Sequence, residues 1–319
     1  MTRLMALLIA ALALVVPLSL LAGRVWIDPF APQGPSALAI LMELRAPRAA
    51  LALVLGAGLG AAGAAMQGYL RNPLADPGLF GIAPGAALGA VLSFWTGYAA
   101  QPYALSIFAL IGAGGAMALL GLIAGSGGSV MVFTLAGMII ASLAGALMSL
   151  AISLSPTPFA MSEIVTWLMG ALSDRSWQEV WTAAPLTALG IAALLRAGRG
   201  LDALTLGEAA ARSLGISPRR LQGLMIAGVG LTVGAGVAVA GIIGFVGLMV
   251  PHLIRPFTDR RPSALIAPSA LAGALLLLVA DCLCRIAPLQ SELRLGIALS
   301  LLGAPFFLVL LLKLRRSMV

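Results

Sequence analysis

Along this chain, unbroken apolar runs of about 16 to 24 residues alternate with shorter segments that collect arginine, aspartate, serine and proline. The every-second-residue alternation of an outer-membrane strand is absent, and each run suits one helical crossing of a hydrocarbon layer about 30 Å thick. The pattern predicts ten helices, over 4–22, 48–67, 80–98, 103–124, 130–153, 178–196, 221–240, 242–257, 264–285 and 295–313, with boundaries good to a few residues. Polar or proline-bearing connections fill 24–47, 69–78, 126–129, 154–178, 197–220, 258–262 and 286–294. The eighth helix is short, contains Pro251 and is parted from the seventh only at Gly241. Met1 to Ala22 has an early arginine and an apolar run like a secretory signal. The run is longer than a usual signal core and no small-x-small cleavage site follows, which predicts a retained first helix.

Composition agrees with this pattern. Apolar residues are 61% of the 319 positions and charged residues 9%, where a soluble domain carries about a quarter. The expectation is an all-α, polytopic integral membrane protein forming one domain over 1–319. Basic residues orient it, because cytoplasmic loops keep an excess of Lys and Arg. Ten crossings put both termini on one side. With the termini inside, thirteen basic residues (Arg3, Arg71, Arg196, Arg199, Arg212, Arg219, Arg220, Arg255, Arg260, Arg261, Lys313, Arg315, Arg316) are cytoplasmic, against six outside (Arg24, Arg45, Arg48, Arg175, Arg285, Arg294). The net charge of +8 is therefore a topological signal and not a nucleic-acid footprint. Small-residue stripes, Gly56 to Gly63 and Gly228 to Gly236, predict close helix packing, and the likeness of Gly56–Gly63 to Gly234–Gly241 hints at an internal repeat.

Candidate chemistry is sparse. The single lysine, Lys313, is followed by Leu314, so no phosphate-binding P-loop is present and ATP cannot be hydrolysed by that route. The single histidine, His252, rules out paired-histidine metal motifs, and Cys282 and Cys284 in an apolar stretch read as small membrane residues; no metal or resident cofactor is expected. Asp281 is the one acid clearly inside a predicted span, with Arg285 one turn later as its partner, while Glu163 and Glu292 read as solvated loop residues. The segment Leu201 to Pro218 predicts a short helix outside the membrane. Thr205 and Glu208 have capping-box spacing, and Gly215 with Pro218 gives the stop. Either a solvated loop helix or an element that docks on a partner fits that spacing.

Several segments together resemble the FecCD family of importer permeases, which includes vitamin B12 and ferric-siderophore permease subunits. They are LRAPRAALALVLGAGLGAAGAAMQGYLRNPLADPGLFGIAPGAALGA from Leu44, WLMGALSDRSW from Trp167, LDALTLGEAAARSLG from Leu201, AGIIGFVGLMVPHLIR from Ala240 and ELRLGIALSLLGAPFF from Glu292. The resemblance implies a type II ABC importer permease in a bacterial inner membrane, with a second copy of itself, two ATPase subunits that hold the ATP and Mg, and a periplasmic substrate-binding protein. The helix near 206–215 would be the coupling element, with Gly207, Glu208, Ala211, Arg212, Leu214 and Gly215 meeting the ATPase. Arg45 and Arg48, with Arg285, would meet acidic groups of the binding protein, and Ser153, Ser155 and Thr157 would line the path. His252 would be structural.

Two departures from the family pattern stand out: Arg260 where a histidine is usual, and Arg294 where a proline is usual, the second predicting a more positive outer mouth. The expected cargo is an iron chelate, a ferric siderophore or haem, with cobalamin as the alternative because of NPLADPGLFG at 72–81. An ion-coupled secondary carrier would need titratable groups at the bilayer midplane, and an intramembrane enzyme a nucleophile with its base; both are poorly supplied here.

Overall fold

The computed structural model describes residues 2–23, 35–125, 129–288 and 291–317. Arg24 and most of the 126–129 turn lie outside them, as do the side chains of Lys313, Arg315 and Arg316. Among the described residues there are helices and turns and no strand. The helices are α1 (Thr2–Leu21), α2 (Pro35–Ala39), α3 (Ala46–Tyr69), α4 (Ile82–Trp95), α5 (Ala104–Ala124), α6 (Val130–Ser153), α7 (Pro158–Leu168), α8 (Trp177–Leu204), α9 (Glu208–Ser213), α10 (Pro218–Ala240), α11 (Val246–Ile254), α12 (Pro262–Ile286) and α13 (Leu295–Ser317). Each of the ten predicted runs holds one of them. Eight helical stretches among the described residues are long and apolar enough to cross a membrane, while α4, with 14 residues, and α11, with 9, are too short by that measure.

Four segments differ from the sequence reading. A π-helical turn, Ile40–Arg45, joins α2 to α3, giving one stretch of 34 residues from Ser36 to Tyr69 where a connection was expected. The 154–178 connection holds α7, started by Thr157, whose hydroxyl accepts from Ala160 N at 3.1 Å. α8 runs to Leu204, eight residues past the predicted end at 196, because nothing between Arg196 and Leu204 breaks a helix except two glycines that pack: Gly198 against Ser263 and Gly200 against Leu221. The break at Gly241 is present but extends to Phe245, so α11 starts late.

α3, α10 and α12 form the centre and are mostly buried, whereas α1, α5, α6 and α13 leave most of their apolar residues outside. Backbone proximity explains the α3–α12 contact. A methyl group on Gly56 or Gly60 would run into the carbonyls of Gly273 or Ser269, so only glycine lets these two helices touch. The 234–241 segment has a partly matching place: α3 lies along α12 and meets α11, α10 lies along α5 and meets α4, so Gly56 faces α12 as Gly234 faces Ala113 of α5, while Gly241 meets the Trp167 carbonyl. Apolar side chains left outward on α5 and α6, such as Ile111, Leu122, Met131 and Ile139, suit a lipid or helix neighbour.

Candidate functional site: two ends of the bundle

One end is defined by the charges at the start of α3. Arg48 donates to both carboxylate oxygens of Asp281, at 2.8 to 3.0 Å, and also pairs with Glu292. Asp281 is fully buried and is shared with Arg285, whose Nε lies 3.1 Å away at the anticipated i, i+4 spacing. Arg285 further donates to the Ala22 carbonyl at 3.0 Å, and Arg45 donates to the Leu20 and Leu21 carbonyls at 2.7 and 2.9 Å. Glu292 is thus half-buried and ion-paired, not a plain solvated residue. Arg45, Arg48 and Arg285, expected on a docking face, sit at this end but turn inward: Arg45 and Arg285 are 8% exposed and the Arg48 side chain 12%. Together they tie the end of α1, the start of α3 and the end of α12 into one clasp.

Beside the clasp a polar pocket of about 250 Å³ opens between α7 and the 171–175 turn. Glu163, Asp174, Arg175 and Arg294 line it, so its charges balance, and the positive mouth expected from Arg294 is not what these side chains form. Arg294 donates to Ser173 Oγ at 3.3 Å. Burial, with Arg294 adding repulsion, lowers the Arg175 pKa against the pull of Glu179 and Asp174. The Arg175 Nε and the Trp167 indole N–H are buried there without a hydrogen-bond partner among the described residues, so this wall offers donors to water or a solute.

The expected path residues fall near this end. Ser153 is exposed at the last turn of α6, Thr157 is exposed and spends its hydroxyl on capping α7, and the half-buried Ser155 donates to the Thr157 carbonyl at 3.3 Å. Sequence reasoning overlooked the rest of the stripe. Ser142, Ala146, Ser149 and Ser153 are all exposed and follow one another at i, i+4, i+7 and i+11, which sets them on a single helical face. The spacing was readable, but serine in an apolar run carries no sign of which way it points.

The other end is defined by α9. Its start is not the Thr205–Glu208 capping box: Thr205 lies at the end of α8 and donates to the Asp202 carbonyl at 2.7 Å. Gly207, at φ 101°, turns the chain instead, and Gly215, at φ 81°, turns it out again; both are conformations that disfavour a side chain. Glu208 faces the bundle, its carboxylate accepting from Val130 N at 3.3 Å, and Ala211 is buried against it. Arg212 and Leu214 face outward, and Leu206 and Leu214 are 68% and 63% exposed. The six residues expected to meet an ATPase thus divide into a seat, Glu208 and Ala211, a surface, Arg212 and Leu214, and two hinges, Gly207 and Gly215. The start of α1 and the end of α13 lie at this end too, since Leu20 of α1 and Gly296 of α13 are held at the other, the latter by the Gly170 carbonyl at 3.0 Å. His252 is half-buried, with its ring edge-to-face on Phe306 at 5.8 Å.

A multi-pass helical bundle without a P-loop, with a hydroxyl-bearing face on one long helix and one small helix held out at the end, is that of a membrane permease of the ABC importer class. The FecCD transport family model matches residues 4–313, and the chain belongs to that family. It is 37% identical over 309 residues to the vitamin B12 import system permease protein BtuC of Citrobacter koseri, covering 95% of this chain and 92% of the relative. The protein of that name from Escherichia coli O9:H4 (strain HS) matches at 37% over 305 residues, with 94% and 91% coverage. A solved structure described as an inward-facing conformation of a proposed metal-chelate type ABC transporter superposes with a TM-score of 0.90 at 32% identity, covering 98% of this chain and all of the other.

Proposed function

We propose that this chain is the permease subunit through which a bulky metal-centred chelate enters a bacterial cytoplasm, driven by a separate ATPase. The observation that carries the reading is α9: a helix of six residues, set between two glycine turns, seated on the bundle through Glu208 and Ala211 and offering Arg212, Leu206 and Leu214 to the outside. An exposed apolar pair beside a cation suits a partner's groove. The α9 end is the cytoplasmic one, because Arg3, Arg71, Arg196, Arg199, Arg212, Arg219, Arg220, Arg260 and Arg261 are all exposed there. Both termini are then cytoplasmic, and the Arg48 end faces the periplasm and the binding protein. In a pair of permeases, the outward faces of α6 supply the hydroxyl-bearing walls of the path. Small hydroxyls suit passage of a large solute without tight binding.

For the cargo, a corrinoid is supported by the named relatives, and a ferric chelate remains the second reading because the structural neighbour is described only as a metal-chelate type. The test is gentle purification of the chain from its native membrane, identification of whatever accompanies it, and uptake by the reconstituted complex with cobalamin and a ferric siderophore offered in turn. An equimolar ATPase, and ATP-dependent uptake lost on Leu214→Asp while the melting temperature holds, support the proposal. Solute flux by the chain alone would refute it.

A further inference from the structure

A second pocket at the α9 end, separate from the α9 seat, is lined by charges of one sign. It encloses about 220 Å³ where α3 ends, α8 ends and α12 begins, and among the described residues its walls include Arg71, Arg255 and Arg260 but no carboxylate. The nearby acids are engaged elsewhere: Asp259 by Arg261, and Asp202 by the Ser263 backbone N–H and hydroxyl at 2.9 and 2.6 Å. Arg255 donates from one nitrogen to Gln67 Oε1 at 2.7 Å, while its Nε is buried with no hydrogen-bond partner among the described residues. Burial lowers the Arg255 pKa, and the neighbouring Arg260 lowers it further, the sign of guanidiniums crowded without a counter-charge. Arg71 is accounted for by the negative end of α3, but Arg260 stands just before the N-terminus of the 25-residue α12, where the helix dipole repels a cation and attracts an anion.

We propose that this pocket is a binding site for a phosphate group, supplied by an anionic phospholipid headgroup or by free phosphate. Three guanidiniums match phosphate oxygens in geometry and charge. The pocket lies where three membrane helices end or begin, at headgroup depth, and on the arginine-rich side that in a cell faces anionic lipid. It is independent of whether α9 meets an ATPase.

The test uses the full chain in a neutral detergent. Thermal unfolding is followed in mixed micelles containing phosphatidylglycerol or phosphatidylcholine, and separately in inorganic phosphate or chloride at matched ionic strength. Wild type is compared with R71Q/R260Q and with R261Q, which removes a neighbouring charge outside the pocket. The expected result is a melting-temperature rise with phosphatidylglycerol over phosphatidylcholine, with or without a rise in phosphate over chloride, kept in R261Q and reduced about twofold or more in R71Q/R260Q. A rise with phosphatidylglycerol alone assigns a headgroup; a rise with inorganic phosphate as well assigns the soluble anion. Equal behaviour in anionic and zwitterionic micelles and in both salts, or equal loss in R261Q, overturns the proposal. So does a pocket variant that responds normally to phosphate but no longer retains its ATPase, which would give these arginines to a protein partner.

Discussion

The two ends of this molecule use arginine in opposite ways. At the Arg48 end every described arginine is buried or half-buried, and Arg45, Arg48 and Arg285 are bound to carbonyls or carboxylates of the same chain. At the α9 end nine arginines are exposed, and one of their few internal partners is Asp259. The same side chain thus serves as a clasp where it is dehydrated and as an outward signal where it is wet. A buried guanidinium without its carboxylate carries a large desolvation cost, whereas an exposed one keeps its hydration and is free to attract a partner or a headgroup.

The largest break in this contrast is expected from Asp281→Ala. It strips Arg48 and Arg285 of their shared buried carboxylate, and removing one partner of a buried ion pair costs about 3–5 kcal/mol. The detergent-solubilised protein should lose most of its monodisperse peak on heating well below the wild-type midpoint; an unshifted midpoint would show that the clasp holds nothing. Next, Gly60→Val forces a side chain into the Ser269 backbone carbonyl at the tight α3–α12 contact, and overpacking against backbone costs at least about 1–3 kcal/mol. Its midpoint should fall clearly below that of wild type, and an unchanged midpoint would show that α3 and α12 can part without cost.

The smallest effect sharpens the other side of the comparison. A hydrogen bond from Arg261 holds the Asp259 carboxyl below the usual carboxylate range. A depressed carboxyl lends whatever stability it has above its ordinary pKa and loses it as pH falls through the lowered value, so at neutral pH the contribution is fully present. Both partners are well exposed, and exposed pairs contribute little. Asp259→Asn should therefore leave the neutral-pH melting temperature within measurement scatter. A drop comparable to Gly60→Val would mean that this loop is covered in the working protein.

Much of the fold was legible because apolar run length is set directly by membrane thickness; the ten runs each hold a helix. The misreadings have local causes. Pro156 and Pro158 look like loop punctuation, yet Pro158 is the first residue of α7, where its missing N–H costs nothing. Thr205 and Glu208 carry the spacing of a capping box but follow an unfinished helix, while the same spacing at Ser176 and Glu179 does form one, the Glu179 carboxylate accepting from Ser176 N at 2.7 Å. What separates the two is the stretch before them: the turn at Ser173 to Arg175 frees Ser176 to take an extended backbone, and Thr205 never leaves α8. Arg285 could be paired with Asp281 from spacing alone, but Arg48 lies 233 positions from Asp281, a contact that no local pattern encodes.

The bond between Glu208 and Val130 N joins α9 to the first residue of α6. α6 is a continuous rod of 24 residues, about 36 Å long, whose far tip is Ser153. A tilt of about 5° pivoted at Val130 would sweep that tip through about 3 Å, roughly the width of a water molecule. Small displacements on one side of the bilayer would then be read out, enlarged, at the opposite mouth.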